Sequence, residues 1–305
     1  MIRRMLLGGL LAVMMGCVSS QSGRETAFSP AVGGTSDVVS TRPLKLVLAV
    51  NEVYCRKTAC SCVRAAERQY EDFAKALRKR YGIILQLEYY TEPYDLVQDF
   101  KRGRFDGAIC KPWGLLDATR NTKRNVVRVA DLQDPHKNSG LWGVMLVLKD
   151  SRLQTWRDLE GCRMALGDAD GYEKHHAVLR WMDSHHVSIP ATKRTEKAGC
   201  LECLDLLMKG EVDVAVISNY ALTADCGVDV AKPEDFRILA ETERIPLTSL
   251  MLDLNRVSPN DAMRLRQALL EISANALPES MAGGGFVAPA PWAPPELASL
   301  PVNGK

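Results

Sequence analysis

A helix–glycine–strand unit occurs twice in this chain, and it narrows the choice of folds more than any other stretch. Lys101-Arg102-Gly103-Arg104-Phe105-Asp106-Gly107-Ala108-Ile109 is matched in pattern by Lys209-Gly210-Glu211-Val212-Asp213-Val214-Ala215-Val216. Each copy follows a short amphipathic helix ending near a lysine, opens a strand through glycine and leads towards a new helix. Two such units in two halves of a 305-residue chain predict two similarly built lobes.

The surrounding pattern agrees. Compact apolar runs predict strands at Leu44–Val50, Ile83–Tyr90, Phe105–Ile109, Val126–Val129, Val144–Leu148, Arg163–Leu166, Val212–Ile217, Phe236–Ala240 and Leu247–Leu254. Val63, Ala66, Tyr70, Phe73, Ala74, Leu77 and Tyr81 form one helical stripe that Gly82 is placed to end. Pro93 opens a short helix, and further helices are expected at Tyr172–Ser184, Leu201–Lys209 and Asp261–Ala276, the last with Pro259 just before its first turn. This alternation predicts an α/β protein with helices on both faces of its sheets. Beyond Ala276 the many prolines predict an extended tail laid over the body or partly disordered, with 291–305 as its Pro-rich end.

The N-terminus predicts export. Arg3 and Arg4 precede the uncharged apolar run Met5–Met15, too short to span a bilayer and suited to a signal peptide. It ends in Met14-Met15-Gly16-Cys17, which resembles the lipobox of bacterial lipoproteins and implies cleavage before a lipid-bearing Cys17. Residues 1–17 are then the leader and 18–42, rich in Ser, Thr and Gly, a flexible tether. A formal charge of +2 with mixed signs, and no basic stretch interleaved with aromatics, speaks against nucleic-acid binding.

Several separated segments resemble the phosphate/phosphite/phosphonate-type solute-binding proteins of ABC transporters. They are the two glycine–strand units, Val147-Leu148-Lys149-Asp150-Ser151 with Trp156-Arg157-Asp158-Leu159-Glu160-Gly161, Ala165-Leu166-Gly167-Asp168, Ile245-Pro246 and Arg264–Leu270. The resemblance implies a two-lobed type II periplasmic-binding fold, each lobe a mostly parallel sheet flanked by helices, joined by two crossing strands. Lobe one is then 43–142 with 244–290, and lobe two is 143–243. It also implies a bacterial envelope location, a small-molecule anion as ligand, an ABC permease of the inner membrane as partner, no cofactor and no catalysis. The crossing strands are expected near Leu141–Leu148 and Phe236–Leu250, with hinge closure around the ligand.

In α/β lobes ligands meet the loops beyond the carboxyl ends of strands, where helix N-termini favour anions. Four loops qualify. They hold Asn51, Glu52, Tyr54 and Cys55; Cys110, Lys111 and Trp113; Asp168-Ala169-Asp170-Gly171-Tyr172; and Ser218, Asn219 and Tyr220. The expected ligand contacts are the amides of Asp170, Gly171 and Tyr172, the Ser218 hydroxyl and the Asn219 side chain, with Trp113 and Tyr220 as walls. Phosphonate binders usually carry a Ser/Thr-rich turn in the third loop; here Gly171-Tyr172-Glu173-Lys174 stands instead, followed by His175-His176.

Cysteine chemistry supplies a competing reading. Cys55, Cys60, Cys62 and Cys110 lie in or near the first two loops, and thiolates favour copper(I), zinc or trivalent arsenic. A thiol-based sensor or chaperone for arsenite or copper(I) is therefore the alternative function. The plainer expectation for an exported chain is disulfide bonding, two bridges among those four cysteines and a structural role for Cys162, Cys200, Cys203 and Cys226. Cys200-x-x-Cys203 alone is weak support for redox work. His175-His176 and His185-His186 are separated by about 15 Å along a helix, too far for one metal ion, and are expected at the surface or an interface. No nucleophile elbow, Walker loop or zinc-protease helix is present, and Asp106 and Asp213 are expected to fix turns rather than move protons.

Overall fold

The computed structural model describes residues 42–51, 61–134, 136–169, 171–222, 232–272 and 284–295. The chain first builds β1 (Leu44–Asn51), α1 (Ser61–Tyr81), β2 (Ile83–Tyr89), α2 (Pro93–Lys101), β3 (Gly107–Cys110), α3 (Pro112–Thr119) and β4 (Val126–Gln133). It crosses over through β5 (Gly140–Leu141) into β6 (Gly143–Leu148), β7 (Met164–Gly167), α4 (His176–Ser184), β8 (Arg194–Lys197), α5 (Cys200–Met208), β9 (Val214–Ser218) and β10 (Phe236–Glu241). It returns through β11 (Ile245–Pro246) to β12 (Thr248–Asp253), α6 (Pro259–Glu271) and β13 (Gly285–Val287).

Two sheets result, in the orders β13-β4-β12-β3-β1-β2 and β10-β6-β9-β7-β8, with β5 and β11 paired as an antiparallel ribbon between them. The crossing strands are thus found where the sequence placed them. The sheets correct one expectation: they are mixed rather than mostly parallel. Strands that follow a crossover, β6 and β12, enter their sheet from the cleft end, whereas β1, β3, β7 and β9 enter from the outer end. Opposite entry ends make the pairings antiparallel.

Each sheet is covered on both faces, which is why its strands read as unbroken apolar runs. Leu46, Leu48 and Val50 of β1 pack with Tyr70, Phe73 and Leu77 of α1 and Leu265 and Leu269 of α6. The opposite pleat, Ala49, Ala108 and Cys110, meets Leu96 and Phe100 of α2 and Leu115 of α3. In the second sheet Met145, Val147, Val214 and Val216 face α4, while Val144, Leu146, Ala215 and Ile217 face α5.

The repeated unit is one structural device used twice. Gly103 and Gly210 end their helices with φ of +80° and +69°, a region open to glycine at little cost. Asp106 Oδ2 then accepts the Val47 amide at 2.9 Å, and Asp213 Oδ2 accepts the Arg163 amide at 2.9 Å, so each carboxylate staples its strand to the parallel neighbour. Arg256 and Arg163 respectively complete the two clamps. The aspartates were expected to fix turns; their carboxylates instead bond across to neighbouring strands.

Several local expectations shift. Tyr172–Ser184 is not one helix: a 3-10 turn at Tyr172–Lys174 precedes α4, and His175 breaks it at φ −129°, ψ −81°, its Nδ1 lying 2.8 Å from the Gly167 carbonyl. Helix α3 is the helix into which the first repeated strand leads, and Pro112 at its first position starts it. Pro259 stands inside α6, with Ser258 as the cap whose hydroxyl accepts the Asp261 amide at 3.1 Å. The short polar strand β8 and the three-residue β13 were missed because neither carries a long apolar run. The described part of the Pro-rich tail is laid over lobe one, where Arg128 donates to the carbonyls of Ala290 and Trp292.

The cysteines also require correction. Cys110, Cys162, Cys200 and Cys203 are free and buried, so no disulfide forms among the described residues. They act as small core side chains: the Cys203 thiol donates to the Leu166 carbonyl and the Cys200 sulfur accepts the Ser218 amide. Cys17, Cys55, Cys60 and Cys226 lie outside the described residues, as does the Cys62 side chain.

Candidate functional site

The loops at the carboxyl ends of the inner strands converge between the lobes, and the contacts they make differ from those expected. In the first loop Asn51 is described; its side-chain amide donates to the Tyr90 carbonyl at 2.9 Å and ties β1 to β2. Tyr54 lies outside the described residues, as does Asp170 of the third loop. Cys110, the last residue of β3, points into the apolar layer under α2 and α3, where burial pushes its thiol up to about 12. A thiol held neutral is a poor soft-metal ligand. Among the described residues no group of three His, Cys, Asp or Glu side chains could hold a metal ion.

One residue later, Lys111 crosses the cleft. Its Nζ lies 3.1 Å from Oε1 of Glu173, which follows β7 in the other lobe. The Ser218 hydroxyl, at the end of β9, donates to the same oxygen at 2.7 Å. Glu173 is fully buried, and its Oε2 has no hydrogen-bond partner among the described residues. Burial raises the Glu173 pKa, but Lys111, Lys174 and the Ser218 hydroxyl together outweigh it and hold the group below its ordinary value. The carboxylate is therefore ionised at neutral pH.

Glycines carve the seat. A Cβ on Gly143 of β6 would come within 2.1 Å of the Glu173 carbonyl oxygen, so only glycine lets that backbone approach. The Lys174 stem fills the space that side chains on Gly167 and Gly171 would occupy, and its Nζ donates to the Ala198 carbonyl at 2.9 Å. The Gly171 amide, expected from the sequence as an anion donor, bonds the Asp168 carbonyl at 3.0 Å inside the turn. Of the histidines expected mostly at the surface or an interface, His175 is buried where its ring closes this turn, and His185 and His186 are exposed.

Aromatic groups wall the same place. The Trp113 ring lies 5.4 Å from Tyr172 and 5.6 Å from His176, joining the lobes a second time. Tyr172 and Tyr220 are buried with Leu141, Ile245 and Leu247 of the crossing segments, and Trp113 and Trp292 pack against them. The Tyr172 hydroxyl donates to Glu243 Oε1 at 2.6 Å, and burial with that carboxylate raises its pKa. Asn219 serves the framework: its Oδ1 accepts the Trp142 amide at 3.2 Å and its backbone N–H donates to the Trp142 carbonyl at 2.9 Å.

Of the expected site residues, the structure thus gathers Trp113, Gly171, Tyr172, Ser218 and Tyr220 about the interlobe contact and places Cys110 in the core. Sequence reasoning missed the pairing of Lys111 with Glu173. Both residues were visible in the loops, but 62 positions separate them and no periodicity links them. Chemically, the arrangement holds one oxyanion group between an ammonium from one lobe and a hydroxyl from the other.

A family model described as "ABC transporter, phosphonate, periplasmic substrate-binding protein" matches residues 63–291. No curated protein matches the chain. Among solved structures, a Xanthomonas citri protein bound to chloride ion is similar with a TM-score of 0.62 at 17% identity, over 81% of this chain and 92% of that one. PhnD1 from Prochlorococcus marinus, in complex with methylphosphonate, is similar with a TM-score of 0.57 at 12% identity, over 81% and 93%. The periplasmic aliphatic sulphonate binding protein SsuA from Escherichia coli gives 0.53 at 16%, over 77% and 73%. At these identities the likeness shows the fold, that of type II periplasmic binding proteins.

Proposed function

From the fact that this chain belongs to the periplasmic substrate-binding proteins of ABC phosphonate transporters, we propose that it captures a small phosphonate-, phosphite- or phosphate-like oxyanion between its lobes. It delivers that anion to an ABC permease of the inner membrane while anchored by lipid on Cys17. The observation that carries the anion reading is the convergence of Lys111 and Ser218, from opposite lobes, on one carboxylate oxygen. A phosphonyl or phosphoryl group presents the same kind of oxygen acceptor, and charge-assisted bonds to such oxygens are the strong ones. The walls of Trp113, Tyr172 and Tyr220 keep water from the seat, which strengthens those bonds.

Calorimetry with phosphate, phosphite, methylphosphonate and arsenite tests the reading on the wild type, Lys111→Met and Cys110→Ser. Oxyanion binding that Lys111→Met abolishes and Cys110→Ser leaves intact is the expected result. Arsenite binding that depends on Cys110, with no oxyanion bound, would replace it by the thiol-based alternative. Replacing Cys17 by serine should leave the protein unprocessed or release it from membranes; unchanged fractionation removes the anchor.

A further inference from the structure

We propose that Glu173 is a resident occupant of the interlobe anion seat: it latches the two lobes together through Lys111, and a solute must displace its carboxylate to enter. The inference rests on the solute-binding reading for what does the displacing, and on geometry alone for the latch.

Three observations carry it. First, the pair spans the lobes. Lys111 leaves the end of β3 and Glu173 follows β7, yet Nζ and Oε1 are 3.1 Å apart with Ser218 as a third partner at 2.7 Å. Second, the position is built rather than incidental. Gly143 admits the Glu173 backbone and Gly167 and Gly171 admit the Lys174 stem, while Tyr172 on the other side is clamped to Glu243. Backbone held this firmly fixes where the side chain starts, so displacement requires rotation of the Glu173 side chain and no movement of its turn. Third, the carboxylate is only half satisfied. Lys111 and Ser218 both act on Oε1, and Oε2 is buried with no hydrogen-bond partner among the described residues. A carboxylate can accept about four hydrogen bonds, so this one holds its seat with less than its full capacity. A tetrahedral oxyanion can offer Lys111 and Ser218 more charge and more oxygens than Glu173 does.

A self-occupied seat makes Glu173 a specificity-determining residue. Every anion binds in competition with it, so affinity falls by the fraction of molecules whose seat is open. Weak acceptors are held out, and strong tetrahedral oxyanions enter. The same contact keeps the lobes together before solute arrives.

The test uses the full body of the protein, solute-free and with methylphosphonate. Small-angle scattering is recorded on the wild type, Glu173→Gln and Lys111→Met, and calorimetry on the wild type and Glu173→Gln. Both variants should have a larger radius of gyration than the wild type when solute-free, and Glu173→Gln should bind methylphosphonate roughly tenfold more tightly. Lys111→Met reports on the latch from the other lobe should Glu173→Gln fold poorly. Solute-free profiles that superimpose on the wild type would overturn the latch, and so would equal or weaker binding by Glu173→Gln. If the variants open but neither the wild type nor Glu173→Gln binds methylphosphonate, phosphate or phosphite, the latch stands and the oxyanion reading is what fails.

Discussion

Lobe one and lobe two start their repeated strands alike and end at the cleft differently. At the outer rim Asp106 and Asp213 hold equivalent places, each bonding a neighbouring strand's amide at 2.9 Å and an arginine. At the cleft, β3 of lobe one runs into Lys111 and the proline-started helix α3, while β9 of lobe two ends in Ser218, beside the glycine-lined turn after β7 that buries Glu173. The rim device repeats because any parallel strand pair needs its first amides satisfied. The cleft corners differ because they face each other, and a cation meeting a carboxylate is favourable where two like charges would repel.

The largest effect should come from removing the cation. Lys111→Met takes the cross-cleft cation from the Glu173 carboxylate, leaving it Lys174 and the Ser218 hydroxyl, and should cost about 3 kcal/mol in urea unfolding. A loss under about 1 kcal/mol, the range of exposed pairs, would mean that water screens this contact and that the corners are not complementary. Next come the corner glycines. Gly143→Ala drives a methyl into the Glu173 carbonyl and should cost about 2–3 kcal/mol. Gly114→Ala in α3 meets nothing within 4 Å and should stabilise by about 0.5–1 kcal/mol. Equal effects at the two sites would erase the difference between the corners.

The rim clamps should behave as a matched pair. Asp106→Asn and Asp213→Asn should each lose about 1.5 kcal/mol, and a gap of more than about 1 kcal/mol between them would show that the repeat is not one device. Acid probes both levels together. Arg163 holds Asp213 below its ordinary 3.8, burial opposing, and Glu173 lies below its ordinary 4.5. Folded values below the unfolded ones contribute stability that is complete above about pH 5 and is lost as pH falls through the folded values. Thermal scans from pH 6 to pH 3 should show that loss, and Lys111→Met should flatten the part due to Glu173; an unchanged profile in that variant would detach Glu173 from Lys111. The smallest effect is expected at Cys110, where alanine removes one buried sulfur for about 1 kcal/mol and leaves methylphosphonate binding as in the wild type.

Much of the architecture was legible from local pattern. Gly103 and Gly210, the apolar runs of β1, β6 and β9, and the stripe of Tyr70, Phe73 and Leu77 each signal their element within a few residues. The crossing segments were legible through Ile245-Pro246. The direction of β6 and β12 within their sheets was not, because pairing sense depends on which end the chain enters from. The free state of Cys110 was misjudged because export chemistry describes a compartment, whereas pairing needs two sulfurs within bonding reach.

The amino-acid order by itself determined the α/β alternation, the two lobes, the crossing points and the strand ends from which the Lys111, Gly171 and Ser218 loops leave, since each depends on residues close together in the chain. Tertiary structure alone decided what those loops do. Gly171 spends its amide inside the turn, Asn219 braces Trp142, and Ser218 and Lys111 grip Glu173. The reason is physical: a buried carboxylate takes whichever donors the folded backbone brings within about 3 Å, and here they come from residues 45 and 62 positions away.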